Sequence, residues 1–210
     1  MSVNTDKVRS IIGNIAAVIE EKKQYLSDLD QAIGDDDHGF NMARGFGVVT
    51  QKLNEAPGAD IGEVLKTVAM TLISNVGGAS GPLYGTLFLK ASGAAKGMTE
   101  MDLAGFIPVL KDGILGVQAR GKAVLGEKTM IDVLLPVLES LEKDCEAGLS
   151  GAEAFANAEK VAIASMEGTK DIIAKKGRAS YLGERSIGHI DPGATSSCLM
   201  ISTISKALAN

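Results

Sequence analysis

Asp30-Gln31-Ala32-Ile33-Gly34-Asp35-Asp36-Asp37-His38-Gly39-Phe40-Asn41-Met42-Ala43-Arg44-Gly45 is the stretch where charge, rather than apolar periodicity, sets the pattern of the chain. Four aspartates, one of the two histidines and three glycines crowd these sixteen positions. Carboxylates folded close together repel one another, so a compact state calls for a hard cation among them. Asp35 and Asp37 alternate, and Asp30 stands five residues earlier at the end of a helical pattern. Three oxygen donors converging from a helix end and a turn suit octahedral Mg²⁺, which keeps water and accepts phosphate oxygens. The donor set fits magnesium or calcium and not zinc. An EF-hand is excluded, because Gly39 and Phe46 stand where that loop needs oxygen ligands. Asp36 is expected to point away from its neighbours. The plainer alternative, an exposed acidic turn capping the next helix, needs one aspartate rather than several.

Both flanks of this loop are helical in pattern. Upstream, Val8, Ile11, Ile12, Ile15, Val18, Ile19, Leu26 and Leu29 recur at three- and four-residue spacing opposite Glu20 to Lys23. Downstream, a second helix carries Met42, Phe46, Val49 and Leu53 and stops at Pro57-Gly58. A third runs from Ile61 to about Asn75, and a fourth carries Leu83, Leu87, Phe88 and Ala91. Thr99 with Asp102 reads as the N-cap of a fifth, which Pro108 should kink. A sixth runs from Met130 through Leu141. Ser150 with Glu153 reads as a capping box for a seventh that reaches Ile173, and Ala194 to Leu208 form the last. No run of alternating β-branched residues reads as a strand. The expectation is an all-α domain over residues 1–210, with about eight amphipathic helices in an up-and-down barrel. Loops 30–41, 77–82, 120–130 and 177–193 then meet at one end, the candidate site.

Composition narrows the function classes. A net charge of −5 without a basic stripe argues against nucleic acid as a partner. No segment approaches the roughly 20 apolar residues of a membrane span, and the N-terminal residues lack a signal-peptide pattern. A cytoplasmic protein is expected. Cys145 and Cys198 lack metal-ligand spacing. With aromatics at 4% and no Trp, the core must be aliphatic. The 25 glycines lie largely between helical patterns and suggest loops in close contact with something.

His38-Gly39-Phe40-Asn41 opens a helix whose free N–H groups and dipole favour a phosphate, with Gly39 allowing close approach. Gly77-Gly78-Ala79-Ser80-Gly81-Pro82 is a second small-residue turn feeding a helix, and the Ser80 hydroxyl can donate to phosphate. It reads equally as a tight connection between packed helices. No Walker A and no G-x-G-x-x-G pattern is present. Arg178, Arg185, Lys175 and Lys176 in the late loop, with Arg120, Lys122 and Lys128 in the middle one, place cations beside the acidic cluster, as phosphoryl transfer needs. Singly, each reads as a solvated surface charge. Asp191-Pro192-Gly193 reads as an N-cap turn, and His189 as turn packing or a ligand contact.

The runs G-D-D-D-H-G-F-N-M (34–42), G-G-A-S-G-P-L-Y-G (77–85), R-G-K-A (120–123), K-T-M-I-D (128–132) and G-R-A-S-Y-L-G-E-R-S-I-G-H-I-D-P-G-A-T-S (177–196) resemble the L subunits of bacterial dihydroxyacetone kinases. The resemblance spans nearly the whole chain. It implies an eight-helix barrel with a nucleotide and two Mg²⁺ at one end. Asp30, Asp35 and Asp37 would be the metal ligands. His38, Gly39, Phe40, Asn41, Ala79, Ser80, Gly121, Met130, Arg178, Asp191, Pro192 and Gly193 would surround ADP, with Gly121 and Met130 beside the adenine and Arg178 as the catalytic cation. Asp36 departs mildly from the small residue often found there.

The D-H-G-x-N-M version of the motif is similar to the phosphotransferase-system type. That type implies tightly bound ADP, a phosphohistidine M subunit that converts it to ATP, and dihydroxyacetone held on a K subunit. A homodimer and contact with a transcriptional regulator are further expectations of the resemblance. Two other readings stay open: a subunit that exchanges free ATP and phosphorylates a short ketose, and a nucleotide-loaded module that only binds a regulator.

Overall fold

A computed structural model describes residues 2–209. Eight α-helices account for most of them: α1 (Thr5–Ile33), α2 (His38–Glu55), α3 (Ile61–Asn75), α4 (Ser80–Ala94), α5 (Leu103–Gly121), α6 (Ile131–Glu146), α7 (Gly151–Gly168) and α8 (Pro192–Leu208). The apolar residues at helical spacing are those that the fold buries. Ile19, Leu26, Phe46, Leu72 and Leu141 are fully enclosed in one aliphatic core. Each helix packs on the next in sequence, and α8 packs back on α1, which closes the ring. The loops that follow α1, α3, α5 and α7 and the starts of α2, α4, α6 and α8 line one cavity.

Local chemistry sets most boundaries. Ser150 accepts from the Glu153 amide while Glu153 accepts from the Ser150 amide, the expected reciprocal cap of α7. Asp60 and Asp191 cap α3 and α8 one way, each carboxylate accepting from the amide three residues on, Glu63 and Ala194.

Three expectations need correction. The cap of α5 is Asp102, which accepts from the Gly105 amide, whereas Thr99 offers its carbonyl to the Thr5 amide. Helix α7 stops at Gly168 rather than Ile173 and gives way to a 3₁₀ turn, Thr169–Asp171. The Thr169 hydroxyl turns back to the Met166 carbonyl, and the Thr169 carbonyl, which a longer helix would offer to residue 173, is taken by Lys128. A two-residue antiparallel ladder joins β1 (Val3–Asn4) to β2 (Glu100–Met101), too short to leave an alternating pattern in the sequence.

Gly39 serves packing before anything else. A Cβ there would lie 1.9 Å from the Lys23 carbonyl oxygen and 2.9 Å from the Ser27 nitrogen, both backbone atoms of α1. The first turn of α2 can lie against α1 only without a side chain at this position. Overpacking of this kind costs about 1–3 kcal/mol, which for a chain of this size lowers Tm by roughly 2–12 °C. Gly39→Ala is therefore expected to melt several degrees lower in nucleotide-free, metal-free protein. An unchanged melting temperature would contradict this packing role.

Candidate functional site

The acidic loop is shaped by a residue in an uncommon backbone conformation. Asp36 has φ 63°, the left-handed region that aspartate tolerates better than most side chains. Its side chain is exposed, and Gln31 Nε2 lies 3.5 Å away. Asp35 and Asp37 on either side turn inward to meet Asp30, as the alternation implied. One carboxylate oxygen from each of the three lies within 4.8 Å of the others.

Asp30 does more than face the cluster. From the last turn of α1, its Oδ2 accepts from the amides of Asp37 at 3.0 Å and His38 at 3.2 Å, and so caps α2 from a neighbouring helix. A Cβ on Gly34 would sit 2.0 Å from Asp30 Oδ1, so the loop leaves α1 through the one residue that clears this carboxylate.

Charge balance within the cluster is poor. The Asp37 carboxyl is held above the usual carboxylate range, first by burial and then by Asp35 and Asp30. Among the described residues, Arg178, at the start of the 3₁₀ segment Arg178–Ser186, gives the cluster its one ion pair: its Nε lies 2.9 Å from Asp35 Oδ2. Oxygen ligands about 2.1 Å from a shared Mg²⁺ stand roughly 3–4 Å apart. A set within 4.8 Å fits one ion after slight closure, or two ions bridged by an aspartate. All-oxygen donors, a raised carboxyl and room for further ligands fit a hard divalent cation.

A cavity of about 440 Å³ opens beside the carboxylates, within the range of small-ligand sites. Asp30, Asp35, Asp37, His38, Ala79, Ser80, Gly121, Met130, Arg178, Asp191, Pro192 and Gly193 all line it. Gly39, Phe40 and Asn41 do not. Gly39 packs on α1, Phe40 is exposed with the Lys23 ammonium 6.0 Å from its ring centre, and Asn41 is buried and accepts from Arg44. The Ser80 amide at the opening of α4, the Gly193 amide at that of α8, the Ser80 hydroxyl and Arg178 supply donors for an anion near the carboxylates. Leu83, Val117, Met130 and Ile131 give the other wall an apolar surface suited to a flat ring.

Sequence reading missed two parts of the site. Lys128, grouped there with the loop cations, is fully buried, and its ammonium donates to the carbonyls of Thr169, Ile172 and His189. It pins the late loop over the cavity and has no donor left for a phosphate. His189 contributes that carbonyl, its side chain is exposed, and it does not line the cavity. The second part is a buried polar cluster. Burial lowers His38 to about 4, and its ring nitrogens meet Ser80 Oγ at 2.8 Å and Ser196 Oγ at 2.9 Å. Tyr84, raised to about 12 by burial, reaches Ser196, Ser197 and the Gly193 carbonyl. The Thr-Ser-Ser run opening α8 was the available signal.

A helical ring with clustered carboxylates, anion donors and an apolar wall at one end defines a metal-and-anion-binding domain outside the P-loop and dinucleotide-binding folds. The chain belongs to the DAK2 domain family, whose profile matches residues 32–206. It is 44% identical to the PEP-dependent dihydroxyacetone kinase, ADP-binding subunit DhaL, of Escherichia coli (strain K12), over 99% of each chain. It is 47% identical to PEP-dependent dihydroxyacetone kinase 1, ADP-binding subunit DhaL, of Listeria innocua, over 95% of each. Among solved structures, the dihydroxyacetone kinase of C. freundii in complex with AMP-PNP and Mg²⁺ superposes with a TM-score of 0.75 at 22% identity, covering 98% of this chain and 34% of that one. That likeness carries the fold.

Asp191 lends itself to a pH test. Burial raises its carboxyl from the ordinary 3.8 to about 7, although its side chain accepts from the Ala194 amide at 2.7 Å. Between those values the native state keeps a proton that the unfolded chain has released, so this contribution to stability falls as pH rises through the window and is constant below it. Asparagine caps a helix equally well and does not ionise. The unfolding free energy of Asp191→Asn minus that of the parent, from urea titrations of metal-free protein, is expected to grow as pH rises from 4 to 7. A flat difference would contradict the burial.

Proposed function

We propose that this chain is the ADP- and Mg²⁺-holding subunit of a phosphoenolpyruvate-dependent dihydroxyacetone kinase. The observation that carries the reading is the convergence of Asp30, Asp35 and Asp37 at the mouth of a cavity lined by helix N-termini and Arg178. Likeness over essentially the full length of relatives named as ADP-binding subunits supports it. Asp30, Asp35 and Asp37 hold two magnesium ions in this reading. Ser80 and the turns opening α4 and α8 hold the phosphates, and Gly121 and Met130 flank the adenine. Bound Mg²⁺ would neutralise phosphate charge during transfer.

Arg178 is the proposed catalytic cation. It lies 68% exposed at the rim with its guanidinium on Asp35, so it can exchange that partner for a phosphate oxygen. The cavity-lining residues divide between metal ligands and phosphate and adenine contacts in this reading, which suits a division of labour. A phosphohistidine-bearing M subunit supplies the phosphoryl group, a K subunit presents dihydroxyacetone, and both dock in turn at the open end of the ring. Self-association as a dimer and a cytoplasmic setting complete the reading. Among the described residues no helix is long and apolar enough to cross a membrane.

Denaturing dialysed protein and chromatographing the supernatant tests the resident nucleotide, with about one ADP per chain expected. Asp35→Asn and Asp37→Asn are each expected to release that ADP while far-ultraviolet dichroism stays unchanged. Unaltered ADP content in both variants would remove the metal assignment. Mixing with K and M subunits and phosphoenolpyruvate should yield dihydroxyacetone phosphate. No product despite bound ADP would favour a regulator-binding module.

A further inference from the structure

The buried cluster behind the cavity links the two turns that open α4 and α8. His38 Nδ1 lies 2.8 Å from Ser80 Oγ, His38 Nε2 lies 2.9 Å from Ser196 Oγ, and Tyr84 Oη lies 2.7 Å from Ser196 Oγ, 2.8 Å from Ser197 Oγ and 3.0 Å from the Gly193 carbonyl. His38, Tyr84, Ser196 and Ser197 are buried; His38, Ser80 and Tyr84 all border the cavity, and Ser80 is the least enclosed of the five.

Counting protons leaves two arrangements. A neutral imidazole carries one ring proton, and each hydroxyl donates once and accepts twice. With the proton on Nε2, the ring donates to Ser196 and Nδ1 must accept from Ser80. The Ser80 hydroxyl then turns its proton inward and shows the cavity only lone pairs, which repel an anion. With the proton on Nδ1, the ring donates to Ser80, whose own proton is free to point into the cavity. Ser196 must then donate to Nε2, and Tyr84 donates to the Gly193 carbonyl or to Ser196 while accepting from Ser197. Every buried polar atom of the cluster keeps a partner in both arrangements, since in the first Ser196 donates instead to the Pro192 carbonyl at 3.0 Å or the Gly193 carbonyl at 3.1 Å, so the anion in the cavity decides between them.

We propose that His38 is a positioning residue that holds its proton on Nδ1 when a phosphate is bound, and so fixes the Ser80 hydroxyl as a donor to that phosphate. The same choice makes Ser196 a donor toward Nε2, so the proton order of the α8 opening follows that of the α4 opening. The inference rests on the nucleotide reading of the cavity. It also explains why a histidine stands where neither ring nitrogen is left to touch a ligand.

Two measurements test it. Protein labelled with ¹⁵N at histidine and loaded with ADP and Mg²⁺, with the His189→Asn variant used for assignment, shows by nitrogen shift which ring atom is protonated. The expected result is Nδ1–H for His38. ADP retained with the proton on Nε2 overturns the relay and leaves the nucleotide reading standing, whereas no ADP retained at all overturns both. The second measurement is a double-mutant cycle on ADP affinity. In His38→Gln the longer amide reaches toward Ser196 and loses the donor to Ser80. Ser80→Ala and His38→Gln are each expected to weaken ADP at least about tenfold. The pair together should be no worse than either alone, because one acts through the other. Losses that multiply would mark His38 as a separate structural support and overturn the proposal.

Discussion

Mutual repulsion among Asp30, Asp35 and Asp37 is the constraint around which the molecule is built. One oxygen from each lies within 4.8 Å of the others, a distance at which like charges repel unless a cation stands among them. Arg178 offsets part of this through Asp35, but its exposure limits what that ion pair contributes. The Asp37 carboxyl is raised first by burial and then by Asp35 and Asp30. A divalent ion removes the conflict and binds a pyrophosphate with its remaining coordination sites.

The helical ring makes that arrangement reproducible. Asp30 is rigid because it ends α1 and caps α2, so the metal cluster and the first helix crossing share one side chain. Gly34 and Gly39 remove the side chains that would force the two helices apart. Across the cavity, Lys128 spends its three donors on carbonyls of the late loop and holds residues 169–189 in place without secondary structure of their own beyond short 3₁₀ turns. The site is thus set by helix ends and by one buried cation, while the apolar core supplies the frame.

The fold was legible wherever a pattern is local. Apolar spacing along α1 and α6, the Ser150–Glu153 cap and the aspartate alternation each depend on residues a few positions apart. Failures fall where the deciding partner is distant. Helix α7 ends early because Lys128 claims the Thr169 carbonyl 41 residues away. Lys128 itself reads as a solvated loop charge until those carbonyls are in place. Gly39 looks like space for a phosphate, although the space is filled by α1. Ser196 and Ser197 look like ordinary helix-opening hydroxyls, and Tyr84 looks like core, because their shared network joins positions 112 and 113 residues apart. The twelve cavity-lining positions named at the outset were reached largely through the resemblance, since spacing alone does not tell which loop reaches the adenine.

The most direct test is an anomalous-difference map from crystals grown with Mn²⁺ and ADP. The expected result is one or two peaks within coordination distance of Asp30, Asp35 and Asp37, with diphosphate density continuous from them toward Ser80. A map without peaks there, the three carboxylates turned apart into solvent at full Mn²⁺ and ADP, would contradict the claim that these aspartates are gathered by a cation.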